Sequence, residues 1–405
     1  MVTVEKLTPA WREAFLVSRN SLFTPIESPY LEQVENPDSS VPVRTFIGRD
    51  QSKVLSWGSF YLRGLHTERE HAPDLRVAMA CAIGTLPDQQ RQGLGAKVWR
   101  AAEMALAQEV DGVLVYTGES GPGYSFYRAM GYLPLLYPPC VRQKVSRESG
   151  VEQDVAMTRP LAGFDDFWRS SPPVFTECYR GSGGFLADRP GSLKRWTKAS
   201  FFYHANAVGC IPQVSWLQDE SSGSWIAYAI WAGPIEKIDW KRGAVEIWEL
   251  ACHDNCSTKS LDQLLRPARQ AARKGSGYVD WWAVPGRLTE RMLELDFTEL
   301  PRSLCVLGKV FDPARNLAEQ LEVRGFPADC LNGAGGRVEI RVGDCLVEIE
   351  RDAATRMVFA RSSASQEHQL GMLTIRPMAK ARATLEAFDA ALPRVPWSYL
   401  ASEYI

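Results

Sequence analysis

Hydrophobic and polar positions over the first 135 residues follow two periods, one typical of strands and one typical of helices. Period-two alternation predicts strands at Val43–Gly48, Val54–Leu62 and Arg76–Thr85, and a short apolar run predicts another at Val113–Thr117. A long helix is predicted over Gly93–Val110, so the two strands that it joins are expected to run parallel. The pattern therefore predicts an α/β (α+β) fold built on a mixed, partly parallel sheet.

A later stretch repeats the order and the lengths of these elements. It carries a predicted strand at Val245–Cys252, a helix at Thr258–Lys274, a strand at Val279–Val284 and a short helix at Leu288–Leu295. The first stretch ends in the same way, with a short helix from Tyr124 to Met130. We interpret the two stretches as a weak duplication in which the second copy lacks the glycines of the first.

The length of the chain allows two or three domains, because domains average about 150 residues and this chain has 405. We predict a first α/β unit at 1–150, its degenerate copy at 151–305 and a smaller α/β unit at 306–405. The third unit rests on strand-like runs at Arg337–Val342, Cys345–Glu350 and Met357–Ala360, followed by a predicted helix at Pro377–Ala391.

Composition excludes several classes of partner. The 46 basic and 48 acidic side chains leave a net charge of −2, which gives no general attraction to nucleic acid or to an anionic membrane. The N-terminus lacks the pattern of a signal peptide, and no apolar run is long enough for a membrane-spanning helix. Nine scattered cysteines fit a reducing compartment. We therefore predict a cytoplasmic protein without nucleic-acid or membrane partners.

The most informative segment is the loop that joins the strand ending at Thr85 to the helix beginning near Gly93. Backbone N–H groups at the start of a helix have no partner within the helix and favour phosphate, and glycine lets the backbone approach an anion closely. An ordinary strand–helix loop is the alternative interpretation. In this loop Gly93 and Gly95 allow such an approach, and Arg91 can add positive charge at the rim.

Two motifs resemble those of the GCN5-related N-acetyltransferases (GNATs). The pattern Gln90-x-x-Gly93-x-Gly95 is similar to the pyrophosphate signature of that family, and Phe126-Tyr127-Arg128-Ala129-Met130-Gly131-Tyr132 is similar to its late aromatic–glycine–aromatic motif. The resemblance implies acetyl-CoA as co-substrate. It also implies that the pyrophosphate is bound by Gln90, Arg91, Gln92, Gly93, Leu94, Gly95 and Ala96.

The same resemblance implies a place for the rest of acetyl-CoA. Its pantetheine arm would lie between two strands that part near Thr85 and Thr117, and backbone amides near Ile83 and Thr85 would polarise the thioester carbonyl.

Tyr127 is the candidate general acid. The pKa of a CoA thiol is near 8.5 and that of a phenol near 10, so proton transfer between them is expected to be close to balanced. Packing of Tyr127 in the core is the alternative. The strand Arg76–Ile83 carries no carboxylate, so the base must come from elsewhere or from water, or the substrate must arrive as a neutral amine.

The three-unit layout resembles the enhanced-intracellular-survival (Eis) acetyltransferases, in which a GNAT unit, a GNAT-like unit and a sterol-carrier-like unit follow one another. That resemblance implies a hexamer and a terminal carboxylate, here that of Ile405, as the base; a frayed tail is the alternative. It also implies amine acceptors of the aminoglycoside, polyamine or lysine type, drawn by an acidic pocket. Candidates for that pocket are Glu27, Glu32, Glu35 and Glu119.

The sequence thus favours an acetyl-CoA-dependent N-acetyltransferase, in which a primary amine of a small molecule or peptide attacks the thioester directly. Two alternatives stay open: a non-catalytic CoA or acyl-CoA sensor or scaffold, and an acyltransferase acting on a hydroxyl or with a longer acyl chain. The segment Cys252–Cys256 offers only three potential zinc ligands in one loop, so no metal is predicted.

Overall fold

The computed structural model describes residues 2–22, 42–65, 75–137, 140–146, 156–162, 164–179, 209–237, 242–282, 287–301, 304–311, 337–342, 345–350 and 373–376. Contacts divide these residues into two units, one comprising those up to 137 and from 304 onward, the other those between 140 and 301. No helix among the described residues is both long enough and apolar enough to cross a membrane.

Seventeen strands and six α-helices make up the described chain. The helices are α1 (Arg12–Asn20), α2 (Leu94–Leu106), α3 (Pro122–Ala129), α4 (Asp165–Cys178), α5 (Thr258–Arg273) and α6 (Arg287–Glu294). The strands are β1 (Thr3–Lys6), β2 (Val43–Arg49), β3 (Val54–Leu65), β4 (Leu75–Thr85), β5 (Gly112–Gly118), β6 (Leu133–Leu136), β7 (Cys140–Lys144), β8 (Met157–Pro160), β9 (Gln213–Gln218), β10 (Trp225–Ala232), β11 (Val245–Cys252), β12 (Tyr278–Trp282), β13 (Thr298–Glu299), β14 (Leu304–Val310), β15 (Arg337–Val342), β16 (Cys345–Glu350) and β17 (Leu373–Arg376).

The two large sheets have the same topology. The first has the order β1-β2-β3-β4-β5-β14-β6, and the second, read from its other edge, has the order β8-β9-β10-β11-β12-β7-β13. In each sheet the fourth and fifth strands are parallel, and the other pairs are antiparallel. The predicted mixed sheets and the predicted duplication are therefore confirmed.

The sixth strand of each sheet lies outside the predicted unit, 1–150 or 151–305, that supplies the other strands of that sheet. β14 pairs with both β5 and β6 in the first sheet, and β7 pairs with both β12 and β13 in the second. Sheet membership therefore departs from the predicted linear divisions at 150 and 305, although the three-domain division itself stays a prediction. Hydrophobic periodicity marks a strand but does not identify its partner, so this exchange has no signature in the local pattern.

Helices α1 and α2 pack within the first unit. α2 buries one stripe of apolar side chains at helical spacing, including Leu94, Val98, Trp99 and Leu106. α1 packs against a different part of the unit, where the rings of Phe15 and Trp57 meet edge-on with their centroids 6.2 Å apart. The predicted helix over Gly93–Val110 is confirmed except that it ends at Leu106, where a turn follows.

The second sheet packs against α4 and α5. α4 continues through Pro172 and Pro173, where local rules predict a break, and it buries Phe167, Val174 and Phe175. Because these apolar side chains are removed from water, burial offsets the backbone hydrogen bonds that the prolines cannot make.

A third, three-stranded sheet has the order β16-β15-β17. β15 and β16 match the predicted strands at Arg337–Val342 and Cys345–Glu350. The predicted elements at Met357–Ala360 and Pro377–Ala391 lie outside the described residues. The likeness of this unit to a sterol carrier protein stays a prediction.

Candidate functional site

The parallel strands β4 and β5 part after a short paired stretch. Their pairing covers Val77 to Met79 on β4 and Gly112 to Leu114 on β5, although β4 continues to Thr85. Beyond this paired stretch β4 has a bulge, where two of its residues face one residue of β3. Ala82, which lies in the bulge, has a φ of +46°. The remainder of β4 therefore presents an unpaired backbone edge at an opening between the two strands, as predicted.

The predicted residues Ile83 and Thr85 both lie on this free part of β4. The side chain of Ile83 packs against the core, whereas Thr85 Oγ1 lies 2.8 Å from Ser56 Oγ. Gln90 Nε2 donates to the carbonyl oxygen of Thr85 at 3.1 Å. Gln90 therefore fixes the start of the loop to the end of the strand.

Gly95 has a packing role that the sequence interpretation missed. A Cβ atom at Gly95 would lie 3.2 Å from Thr85 Oγ1, so its absence lets the first turn of α2 approach the end of β4. The interpretation of this glycine as an open approach for an anion is therefore incomplete. Binding of an anion by its N–H group stays a prediction.

The N-terminus of α2 carries no side-chain cap. Its N-cap residue is Gly93, with a φ of +75°, and the first intrahelical hydrogen bond runs from Lys97 N–H to Gly93 O at 3.1 Å. The N–H groups of the three residues between them precede that bond and are free to face an anion. Arg91 is also in the left-handed region, at a φ of +61°, and backbone strain of this kind concentrates at functional sites.

The loop between β4 and α2 is exposed to solvent, as binding of an anion requires. Gln92 Nε2 donates to Asp88 O at 3.1 Å, which closes the loop on itself. Of the predicted phosphate-binding residues, Gln90, Arg91, Gln92 and Gly93 are exposed, Gly95 and Ala96 are partly buried, and Leu94 is buried.

The corresponding region of the second unit is closed. β11 and β12 also pair over only three residues, but beyond them the Tyr179 hydroxyl donates to Leu250 O of β11 at 2.6 Å. Ser257 caps α5 by accepting a hydrogen bond from the N–H of Ser260 at 3.0 Å. The helix start that is open in the first unit is therefore satisfied by side chains in the second.

Tyr127 lies on α3, close to the parted strands. It is 8% exposed, and its ring centroid lies 5.1 Å from that of Trp99 and 5.2 Å from that of Phe126. Burial raises the pKa of Tyr127 well above 10, and the neighbouring Cys81 raises it further. The phenol of Tyr127 is therefore a weaker acid than the solvated phenol assumed above, and the balance of proton transfer with the CoA thiol stays a prediction.

Cys81 is a site residue that the sequence analysis passed over. It stands on β4, the strand that carries no carboxylate, and burial raises its pKa to about 12 against the smaller opposing effects of Tyr61 and Arg19. Cys81 also interacts electrostatically with Tyr127, whose pKa it raises. The sequence signal that could have identified Cys81 is a cysteine on the strand that precedes the phosphate loop.

The remaining predicted residues are the candidates for the acidic pocket and for the base. Glu119 is partly buried in the turn after β5, whereas Glu27, Glu32, Glu35 and Ile405 lie outside the described residues. Within the described part of the chain, no three histidine, cysteine, aspartate or glutamate side chains are arranged to hold a metal ion.

Several solved structures share the architecture of this chain, although no family model and no curated protein matches it. A GCN5-related N-acetyltransferase from Kribbella flavida aligns over 98% of this chain and 97% of its own, with a TM-score of 0.56 and 12% identity. A tandem GNAT protein from the clavulanic acid biosynthesis pathway aligns over 78% of this chain and 100% of its own, with a TM-score of 0.51 and 12% identity.

A third structure, a conserved Enterococcus faecalis protein described as a probable N-acyltransferase, aligns over 88% of this chain and 84% of its own. Its TM-score is 0.56 and its identity 12%. At such identities the likeness concerns architecture. This chain has the fold of the GCN5-related N-acetyltransferases.

Proposed function

We propose that the first unit binds acetyl-CoA and transfers its acetyl group to a primary amine of the aminoglycoside, polyamine or lysine type. The observation that carries the proposal is the meeting of three features: the parted edge of β4, the uncapped start of α2 and the buried Tyr127. The free N–H groups of Leu94 to Ala96 suit a pyrophosphate, and Arg91 can add positive charge at the rim. The residues present therefore fit CoA.

Residues of β4 would act on the acyl group. Bound acetyl-CoA supplies a thioester, whose carbonyl carbon an amine can attack. A backbone N–H at Ile83 or Thr85 can donate to the carbonyl oxygen and stabilise the negative charge that develops there. The unpaired edge of β4 supports this role because its N–H groups have no partner on β5.

Tyr127 would donate a hydrogen bond to the leaving sulfur. Because burial raises its pKa, the phenol is fully protonated at neutral pH and is always available as a donor. The same raised pKa makes complete proton transfer less favourable than it is between solvated groups. Stabilisation of the thiolate by hydrogen bonding is therefore the larger part of its contribution.

Direct attack by the amine is supported by the state of Cys81. With a pKa of about 12, its thiol stays protonated at neutral pH, and a protonated thiol is a poor nucleophile. An acyl-cysteine intermediate is accordingly not part of the proposal. Three points are proposed from the sequence resemblance alone: removal of the amine proton by the Ile405 carboxylate, the Eis-like assignment and the sterol-carrier-like third unit. Hexameric assembly and cytoplasmic location stay predictions.

Calorimetric titration with acetyl-CoA and a thiol-release assay across a panel of primary amines test the proposal. We expect acetyl-CoA binding, and CoA release with at least one amine. Tyr127→Phe should lower kcat by roughly tenfold to a hundredfold, because a hydrogen bond to a charged group is worth about 1.5–3 kcal/mol, and change acetyl-CoA affinity less than about threefold. Tyr278→Phe, which removes a phenol hydroxyl from the second unit, is the matched control and should leave kcat unchanged.

Three results would contradict this assignment. Failure to bind acetyl-CoA removes the site, and binding without CoA release for any amine favours a sensor or scaffold. Turnover by Tyr127→Phe at more than half the original kcat removes Tyr127 from the mechanism.

A further inference from the structure

A partly buried ion pair links β14 to α2. Glu103 of α2 is 9% exposed, and both its carboxylate oxygens accept hydrogen bonds from Lys309 Nζ at 3.0 Å. Lys309 stands on β14 and is 206 positions away from Glu103 along the chain. β14 therefore brings a cation to the buried carboxylate of Glu103.

The same ammonium group holds the end of α3. Lys309 Nζ also donates to the carbonyl oxygen of Met130 at 3.2 Å, and it lies 5.7 Å from the ring centroid of Tyr132. Met130 is the residue immediately after the last residue of α3. Lys309 thus joins the C-terminus of α3 to α2 through Glu103.

Two aromatic rings carry this network to Tyr127. Trp99 Nε1 lies 3.1 Å from both Glu103 Oε1 and the Tyr132 hydroxyl, so its N–H is shared between them. The rings of Trp99 and Tyr132 lie 5.1 Å and 6.0 Å from that of Tyr127. Two of the aromatic rings that pack against Tyr127 in the described part of the chain are therefore held in place through Glu103.

The backbone of Tyr127 is tied to the same segment. Its carbonyl oxygen accepts hydrogen bonds from the N–H groups of Met130 and Tyr132, each at 3.0 Å. Movement of Met130 or Tyr132 would consequently displace Tyr127 itself. The contacts of Lys309 act on both of these residues.

We propose that Lys309 is a positioning residue for Tyr127: through Glu103 and the Met130 carbonyl it fixes the aromatic segment that presents the phenol to the parted strands. This inference rests on the proposed function for its kinetic consequence and on the contacts alone for its structural one. Lys309 touches no part of the phosphate loop in the described contacts, so its loss should affect turnover rather than binding of acetyl-CoA.

A second ion pair in the same unit provides a matched control. Arg44 of β2 donates three hydrogen bonds to Glu109, just beyond the end of α2. Its Nη2 donates at 2.7 Å, and its Nε donates to the two carboxylate oxygens at 2.9 Å and 3.1 Å. Both pairs connect a strand to the α2 region and are partly shielded from solvent. In the described contacts the Arg44–Glu109 pair makes no contact with α3, so Arg44→Met loosens the unit without touching Tyr127.

The experiment compares Lys309→Met, Lys309→Arg and Arg44→Met in the full chain. We expect Lys309→Met to lower kcat by about tenfold to a hundredfold, the usual effect of displacing a reacting group by an ångström, while acetyl-CoA affinity changes less than about threefold. Lys309→Arg keeps the cation and should recover at least a third of the original kcat. Arg44→Met should lower the melting temperature but keep kcat within about twofold.

Hydrogen exchange gives a readout that does not depend on turnover. Amides of residues 122–132 should exchange faster in Lys309→Met than in Arg44→Met when the two are compared at equal distance below their melting temperatures. Equal exchange of this segment in both variants, or an equal loss of kcat in both, would overturn the positioning role. A wild-type chain that releases no CoA with any amine contradicts the proposed function instead, and the exchange comparison then still decides the role of Lys309.

Discussion

Replacement of Gly93 by alanine tests whether the start of α2 is built for an anion. Gly93 has a φ of +75°, where an L-residue costs roughly 1–2 kcal/mol, and nothing lies within 4 Å of the position a Cβ atom would take. The whole penalty is therefore backbone strain, without any clash. For a unit of this size that strain corresponds to a fall of about 2–8 °C in the melting temperature.

The loop can relieve the strain only by turning the peptide groups that open α2. If one N–H group then loses its phosphate oxygen, a hydrogen bond to a charged group is lost, which is worth about 1.5–3 kcal/mol. We therefore expect Gly93→Ala to weaken CoA binding roughly tenfold to a hundredfold in calorimetric titration, because each 1.4 kcal/mol is a factor of ten.

Gly223 is the matched control for this substitution. It lies in a turn of the second unit with a φ of +70°, and a methyl group there would also meet nothing within 4 Å. Gly223→Ala should cost the same free energy of unfolding and leave CoA affinity unchanged. If Gly93→Ala lowers the melting temperature as expected but keeps the Kd for CoA within twofold, the start of α2 is not the phosphate site.

Two further predictions concern pH dependence and the exchanged strands. Because their pKa values are raised, Tyr127 and Cys81 both stay protonated until the pH is well into the alkaline range. We therefore expect kcat/KM to rise as the amine deprotonates and to show no decrease below about pH 10. A decrease below about pH 9 that disappears in Tyr127→Phe would contradict this. Joining residue 137 to residue 303 through about four residues, with 138–302 removed, should give a cooperatively melting, CoA-binding unit because β6 and β14 are antiparallel neighbours. Residues 1–150 alone should show no cooperative transition by circular dichroism, and a cooperative melt of that fragment would refute the structural importance of β14.

Local features of the first unit were predictable because they depend on neighbouring residues. The end of β4 at Thr85, the glycine at the start of α2 and the short helix that carries Tyr127 follow from periodicity, turn chemistry and motif spacing. The parting of β4 and β5 was inferred from the resemblance and is present in the strand pairing.

Features that depend on distant contacts were not predictable in this way. No local pattern indicates that Lys309 reaches Glu103, or that Gly95 is small because Thr85 faces it. The pKa of Tyr127 was misjudged for the same reason, since it depends on burial by side chains from several elements. These properties arise from tertiary packing, which sequence spacing does not encode directly.

The position of β14 in the first sheet has a consequence for synthesis of the protein. Ribosomes add roughly 5–20 residues per second, so about ten to forty seconds separate completion of β5 at Gly118 from arrival of its partner β14 at Leu304. During that interval β5 has an unpaired edge, and unpaired strand edges promote aggregation. The nascent first unit is therefore expected to be prone to aggregation until the end of the second unit has been translated.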